Sequence, residues 1–133
     1  GHDHLLPIVT ALKGAGIRVS LFVEPTVEAM EAAVRLGAPV VELHTGTYAE
    51  AFLDGEEERA ARELERLRAA ARHGAGLGLE IHAGHGLTFD NVGPVAAIPE
   101  IVELNIGHFL VGEAIFTGLD EAIRSMRAAM DAG

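Results

Sequence analysis

The stretch Leu79-Glu-Ile-His-Ala-Gly-His-Gly-Leu87 runs from a strand-like segment straight into a histidine flanked by glycines, His85. An imidazole there suits proton transfer near neutral pH, and Gly84 and Gly86 allow a tight turn with close approach of a ligand. The competing reading is a loop histidine that only hydrogen-bonds. Two further stretches follow the same plan, Val41-Glu-Leu-His-Thr-Gly46 and Val102-Glu-Leu-Asn-Ile-Gly-His108. Each places a Glu-apolar-(His or Asn) triplet within two residues of a glycine.

Gly107-His108 opens a helical pattern, and a helix N-terminus offers free N–H groups and a favourable dipole to a phosphate. It also fits an ordinary strand-to-helix turn. Glu42 is either a polar participant in a site or an ion-pair partner of Arg18, and His44 and His82 read as interior histidines. His44, His82, His85 and His108 could in principle hold zinc or iron. They lack a helical His-x-x-x-His or compact ligand pair, so no metal is expected.

The elements that must position these residues follow from periodicity. Helical spacing of Leu5, Ile8, Val9 and Leu12 predicts a helix over 5–13, stopped by Gly14 and Gly16. Residues 17–23 read as a strand. Thr26 can cap a helix that carries Val27, Met30, Ala33 and Val34 on one stripe and ends at Gly37. A second strand over 39–44 leads into a loop over 45–54, then a long helix over 56–72 with a Glu/Arg surface laced by i,i+4 pairs. Gly74, Gly76 and Gly78 should break that helix. A third strand spans 79–83, the turn 88–91 can cap a short helix over 92–97, and a fourth strand spans 101–106. Helical patterns resume after His108 and over 119–130.

Strands alternating with helices predict parallel strands joined by right-handed crossovers. Within the strands Arg18 and Ser20, Glu42 and His44, Glu80 and His82, and Glu103 and Asn105 share one face. The other face carries Val19 and Leu21, Val41 and Leu43, Leu79 and Ile81, and Val102 and Leu104. An open sheet covered on both sides needs two apolar faces, whereas a barrel interior holds polar groups, with Arg18 balancing some of Glu42, Glu80 and Glu103. The expected fold class is therefore α/β, a (β/α)8 TIM barrel. A complete one needs about 250 residues, so residues 1–133 are expected to be its C-terminal half, with four βα units.

A chain of 133 residues is the size of one domain. Its net charge of -10 argues against nucleic acid and anionic membranes as partners. The absence of cysteine excludes thiolate sites and a Cys nucleophile and fits a reducing cytoplasm. No signal-peptide layout or run of about 18 apolar residues is present. A soluble cytoplasmic protein is expected.

Gly16-Ile-Arg-Val-Ser-Leu-Phe22, Glu42-Leu-His-Thr-Gly-Thr-Tyr-Ala49, Ala83-Gly-His-Gly-Leu-Thr88, Asn91-Val92, Ala97-Ile-Pro-Glu100 and Glu103-Leu-Asn-Ile-Gly-His108 resemble the C-terminal half of the pyridoxine 5'-phosphate synthases. The resemblance implies a transferase-class enzyme of vitamin B6 biosynthesis. Such an enzyme condenses 3-amino-2-oxopropyl phosphate with 1-deoxy-D-xylulose 5-phosphate, without metal or organic cofactor, as a homo-oligomer. It implies His85 as the general acid, Glu42 as the transition-state stabiliser, and Gly86 with Gly107-His108 as the site of the aminooxopropyl phosphate. His82 departs from the family's frequent Asn. The family's general bases and the deoxyxylulose phosphate ligands have no match in this chain, so the chain alone is expected to be inactive. Two alternatives compete. A lysine aldolase or isomerase barrel lacks its strand-end lysine here, since the only lysine is Lys13. The other is a non-catalytic phosphate-binding or self-associating half-barrel.

Overall fold

A computed structural model describes residues 2–133, with side chains from His4 onward. Helices α1 (His2–Gly14), α2 (Val27–Leu36), α3 (Gly46–Leu53), α4 (Glu57–Gly76), α5 (Val92–Ala96), α6 (His108–Thr117) and α7 (Leu119–Asp131) alternate with strands β1 (Ser20–Val23), β2 (Val40–His44), β3 (Glu80–Gly84) and β4 (Ile101–Asn105). The strands form one parallel sheet in the order β1-β2-β3-β4. A strand order that follows the chain makes every crossover step the same way. Right-handed crossovers then put their helices on one face.

That face is the core. Val41, Leu43, Ile81 and Ala83 are at most 1% exposed and pack against Met30, Leu67, Ala71, Val95 and Met126 from the helices. Full burial of Leu43, Leu67 or Ile81 contributes roughly 1.5–3 kcal/mol each relative to exposure. The opposite face carries Glu42, Glu80, His82, Glu103 and Asn105, as the alternation predicts. The fold is α/β with one apolar and one polar sheet face.

The caps of α2 are as expected: Thr26 Oγ1 accepts from the Ala29 N–H at 3.2 Å, and Gly37 ends the helix at φ 77°. Other expectations are corrected. Strand β1 starts at Ser20, not at residue 17, because the Ile17 N–H closes the end of α1 on the Leu12 carbonyl (3.0 Å) and ladder pairing begins with Ser20 opposite Val40. The expected loop over 45–54 is mostly helix α3, folded because Tyr48, Ala49 and Ala51 bury themselves. Helix α4 runs through Gly74 and Gly76. Gly74 is a packing residue: a Cβ there would lie 2.8 Å from Ile81 Cδ1 and 2.9 Å from Met30 Sδ. The close ion pairs on α4 are spaced i,i+3, Arg59–Glu56, Arg66–Glu63 and Arg68–Glu65 at 2.6–2.8 Å, and the i,i+4 pair Arg62–Glu58 is longer at 3.9 Å. Where β4 pairs with β3 the register shifts between Ile81 and His82 of β3, so Ile101 takes the core-side position and Val102, the extra residue of a bulge in β4, is 66% exposed.

Arg18 pairs with Glu80, not with Glu42. Glu80 Oε1 also lies 2.7 Å from His82 Nε2, and His82 Nδ1 lies 3.2 Å from Glu103 Oε1. A carboxylate thus faces each nitrogen of this buried ring, ready to accept whichever proton it carries. The hydrogen bond from His82, and then the one from Arg18, hold the Glu80 carboxyl below the usual carboxylate range. A depressed folded-state value stabilises the fold above the unfolded value and loses that contribution as pH falls through the folded one. Glu80→Gln should therefore lower the melting temperature near neutrality, and the gap to the wild type should close as pH drops below about 4. The partly exposed carboxylate keeps the effect small. Melts recorded across that range check it; a gap that widens in acid contradicts the sign.

Candidate active site

All the sequence-predicted site residues face one open cleft at the C-terminal ends of the strands. Its volume is ≈ 770 Å³, and Glu42, His85, Gly86, Gly107 and His108 line it together with Phe22, Thr88 and Asn105. Glu42 comes from the middle of β2, His85 and Gly86 from the turn after β3, and Asn105 from the end of β4. Gly107 is the residue before α6 and His108 its first residue. In this ten-residue helix the first N–H groups have no intrahelical acceptor and remain available to a ligand.

The Glu42 carboxylate accepts from Asn105 Nδ2 at 2.8 Å. Its other oxygen passes over Gly84, where a Cβ would come within 2.6 Å of both Glu42 Oε1 and the Asn105 carbonyl. Glycine is required there by close approach. With Arg18 committed to Glu80, Glu42 has no ion-pair partner among the described residues. The alternative of a structural Arg18–Glu42 pair is thereby removed.

His85 has φ 87°, the only non-glycine residue with positive φ among those described, and it is followed by Gly86 at φ 81°. Such backbone is disfavoured for a side chain with a Cβ and persists where its surroundings hold it. The neighbours do so in four ways. The His44 ring lies against the His85 ring with centroids 4.8 Å apart, and Phe22 approaches both, at 5.0 Å from His44 and 6.2 Å from His85. Gly46 makes room for the pair, since a Cβ there would sit 2.5 Å from His44 Cε1 and 3.1 Å from His85 Cδ2. Thr45 places its hydroxyl 2.6 Å from the carbonyls of Gly84 and His85. Asn91 ties down the rest of the turn, accepting from the Thr88 N–H at 2.8 Å and donating to the Gly86 carbonyl at 3.3 Å.

The turn 88–91 does precede the next helix, with Asn91 at its N-cap position, but the Asn91 side chain makes no cap bond and braces the His85 turn instead. Its own carbonyl accepts from the Tyr48 hydroxyl at 2.9 Å. Burial pushes the Tyr48 phenol up from its ordinary value, which keeps it a donor. Tyr48 and Asn91 thus connect α3 to the site.

His44 and His82, named as interior histidines, part company. His82 is locked between Glu80 and Glu103 below the cleft. His44 belongs to the rim through its ring, yet its buried Nδ1 has no hydrogen-bond partner, Glu24 Oε1 being 3.7 Å away. Phe22, Asn91 and the Asn105–Glu42 bond escaped sequence reading. Phe22 looks like any core aromatic in a β-run, yet it is 56% exposed on the polar face. The available signal was alternation, since Phe22 continues the face of Arg18 and Ser20; in the sheet it lies opposite Glu42.

Residues 1–132 match the protein family described as "Pyridoxal phosphate biosynthesis protein PdxJ". The chain belongs to this family. It is 62% identical over 132 residues to a curated protein named pyridoxine 5'-phosphate synthase from Rhodospirillum rubrum, covering 99% of this chain and 52% of that protein. Its namesakes from Xanthobacter autotrophicus and Zymomonas mobilis are 57% and 56% identical, with 50% and 49% of their lengths covered. The chain thus spans about half the length of the curated PdxJ relatives it matches. No helix among the described residues is long and apolar enough to cross a membrane.

Proposed function

We propose that residues 1–133 form the C-terminal half of a single (β/α)8 barrel, and that the whole protein is a pyridoxine 5'-phosphate synthase. The observation that carries this reading is the convergence of Glu42, His85, Gly86, Gly107 and His108 on one strand-end cleft, in a chain 62% identical to a protein of that name. The polar sheet face supports barrel closure, because Glu80, His82 and Glu103 would line an interior, and the free edges of β1 and β4 would be covered by strands from the other half.

The substrates would be 3-amino-2-oxopropyl phosphate and 1-deoxy-D-xylulose 5-phosphate, joined to give pyridoxine 5'-phosphate, inorganic phosphate and water, with no metal or organic cofactor. His85 would be the general acid, protonating leaving oxygen as water and phosphate depart. The turn presents its ring to the cleft rather than to the core. Glu42, which has no ion-pair partner among the described residues, would stabilise positive charge developing on the substrate nitrogen. Gly86, Gly107 and His108 would hold the phosphate of the aminooxopropyl substrate through backbone N–H groups, a neutral device suited to an acidic protein. The proton-accepting groups and the deoxyxylulose phosphate site would come from the other half, leaving this chain inactive by itself. We also propose that the protein works in the cytoplasm, which the lack of cysteine fits, and as a homo-oligomer.

The test is an assay of the full-length protein with both substrates. Pyridoxine 5'-phosphate and inorganic phosphate should appear in equal amounts. A folded full-length protein that releases neither contradicts the reading.

A further inference from the structure

We infer that Thr45 is the positioning residue for His85, its hydroxyl fixing the left-handed turn that aims the imidazole into the cleft. The inference rests on the reading of His85 as a proton donor and adds to it the group that sets its geometry.

Thr45 stands at the N-cap of α3, where a threonine side chain ordinarily accepts from the first free N–H groups of the helix. It makes no such bond. The side chain is fully buried and turned the other way, with Oγ1 2.6 Å from the Gly84 carbonyl and 2.6 Å from the His85 carbonyl. One hydroxyl has one proton to give. The Gly84 carbonyl already accepts from the Thr45 N–H at 2.9 Å, so the proton is better used on His85. That bond pins the peptide after His85 while the Thr45 N–H holds the peptide before it, so Thr45 clamps both sides of the residue whose φ is 87°. Helix α3 gives up a cap, and the turn that carries the proposed acid gains a buried donor. The neighbouring residues act in the same direction: His44 lies against the imidazole at 4.8 Å and Gly46 leaves space for it. The loop expected from sequence after the second strand is thus the seat of the His85 turn.

The experiment compares Thr45→Val, which keeps shape but not the hydroxyl, with Thr45→Ser, which keeps the hydroxyl, in the full-length protein. A small misplacement of the acid costs rate rather than binding, so Thr45→Val should lower kcat by about tenfold with KM for both substrates within about twofold. Thr45→Ser should keep at least about half of the wild-type kcat. Thermal melting checks that each variant folds; if Thr45→Val does not, Thr45→Cys, a poor donor of similar size, should show the same loss. A folded Val or Cys variant with undiminished kcat overturns the inference, as does a folded Ser variant as slow as Val. A wild type inactive on both substrates overturns the functional reading itself, an outcome distinct from either.

Discussion

His85→Asn should lower kcat of the full-length enzyme by about 10²- to 10⁴-fold, the range for loss of a general acid, and leave the melting temperature close to wild type. Asparagine is chosen because it tolerates the left-handed region better than other side chains, and the position has φ 87°. It can still hydrogen-bond but has no proton to transfer near neutrality. His85→Ala would mix two effects, loss of the acid and strain at a positive φ. If His85 merely braced the turn, Asn would restore most of the activity and Ala would not. Steady-state kinetics on the two variants, with melting temperatures beside them, separates these outcomes.

Glu42→Gln should cost about 10²-fold in kcat, with smaller change in KM, as expected when a charge that acts in the transition state is removed. The substitution preserves the shape over Gly84 and an acceptor for Asn105 Nδ2, whose bond to Glu42 is 2.8 Å. Charge is the only large change. The prediction is sharpened by the pairing of Arg18 with Glu80, since among the described residues Glu42 is not part of an ion pair whose loss would unbalance the sheet face. A Gln variant as active as wild type would show that shape and hydrogen bonding suffice at this position.

Much of this arrangement was legible in the residues. The strands announce themselves by alternation, and the polar alternate positions, Glu42, Glu80, His82 and Glu103, share a face as period two demands. The Gly-His turns fall at strand ends, which is enough to put His85 and Gly107-His108 on one rim, where the cleft holds them. What escaped depends on contacts between distant segments. Helix α3 begins with a glycine that local rules read as a loop, and folds because Tyr48 and Ala51 meet the core. Helix α4 survives Gly74 because Met30 and Ile81 occupy the space a side chain would need. The extra residue Val102 is invisible until β4 is set in register against β3. The turn 88–91 reads as a cap by its local sequence; only the folded turn shows the Asn91 amide reaching back to Thr88 and Gly86.

The central claim is that this chain supplies the acid, Glu42 and one phosphate site of an enzyme whose bases are elsewhere. It is tested most directly by measuring pyridoxine 5'-phosphate formation from the two substrates by the 133-residue chain alone and by the same chain joined to the N-terminal half of its Rhodospirillum rubrum relative. Product is expected from the joined protein and none from the chain alone. Product from the chain alone, or none from a joined protein that folds, would contradict it.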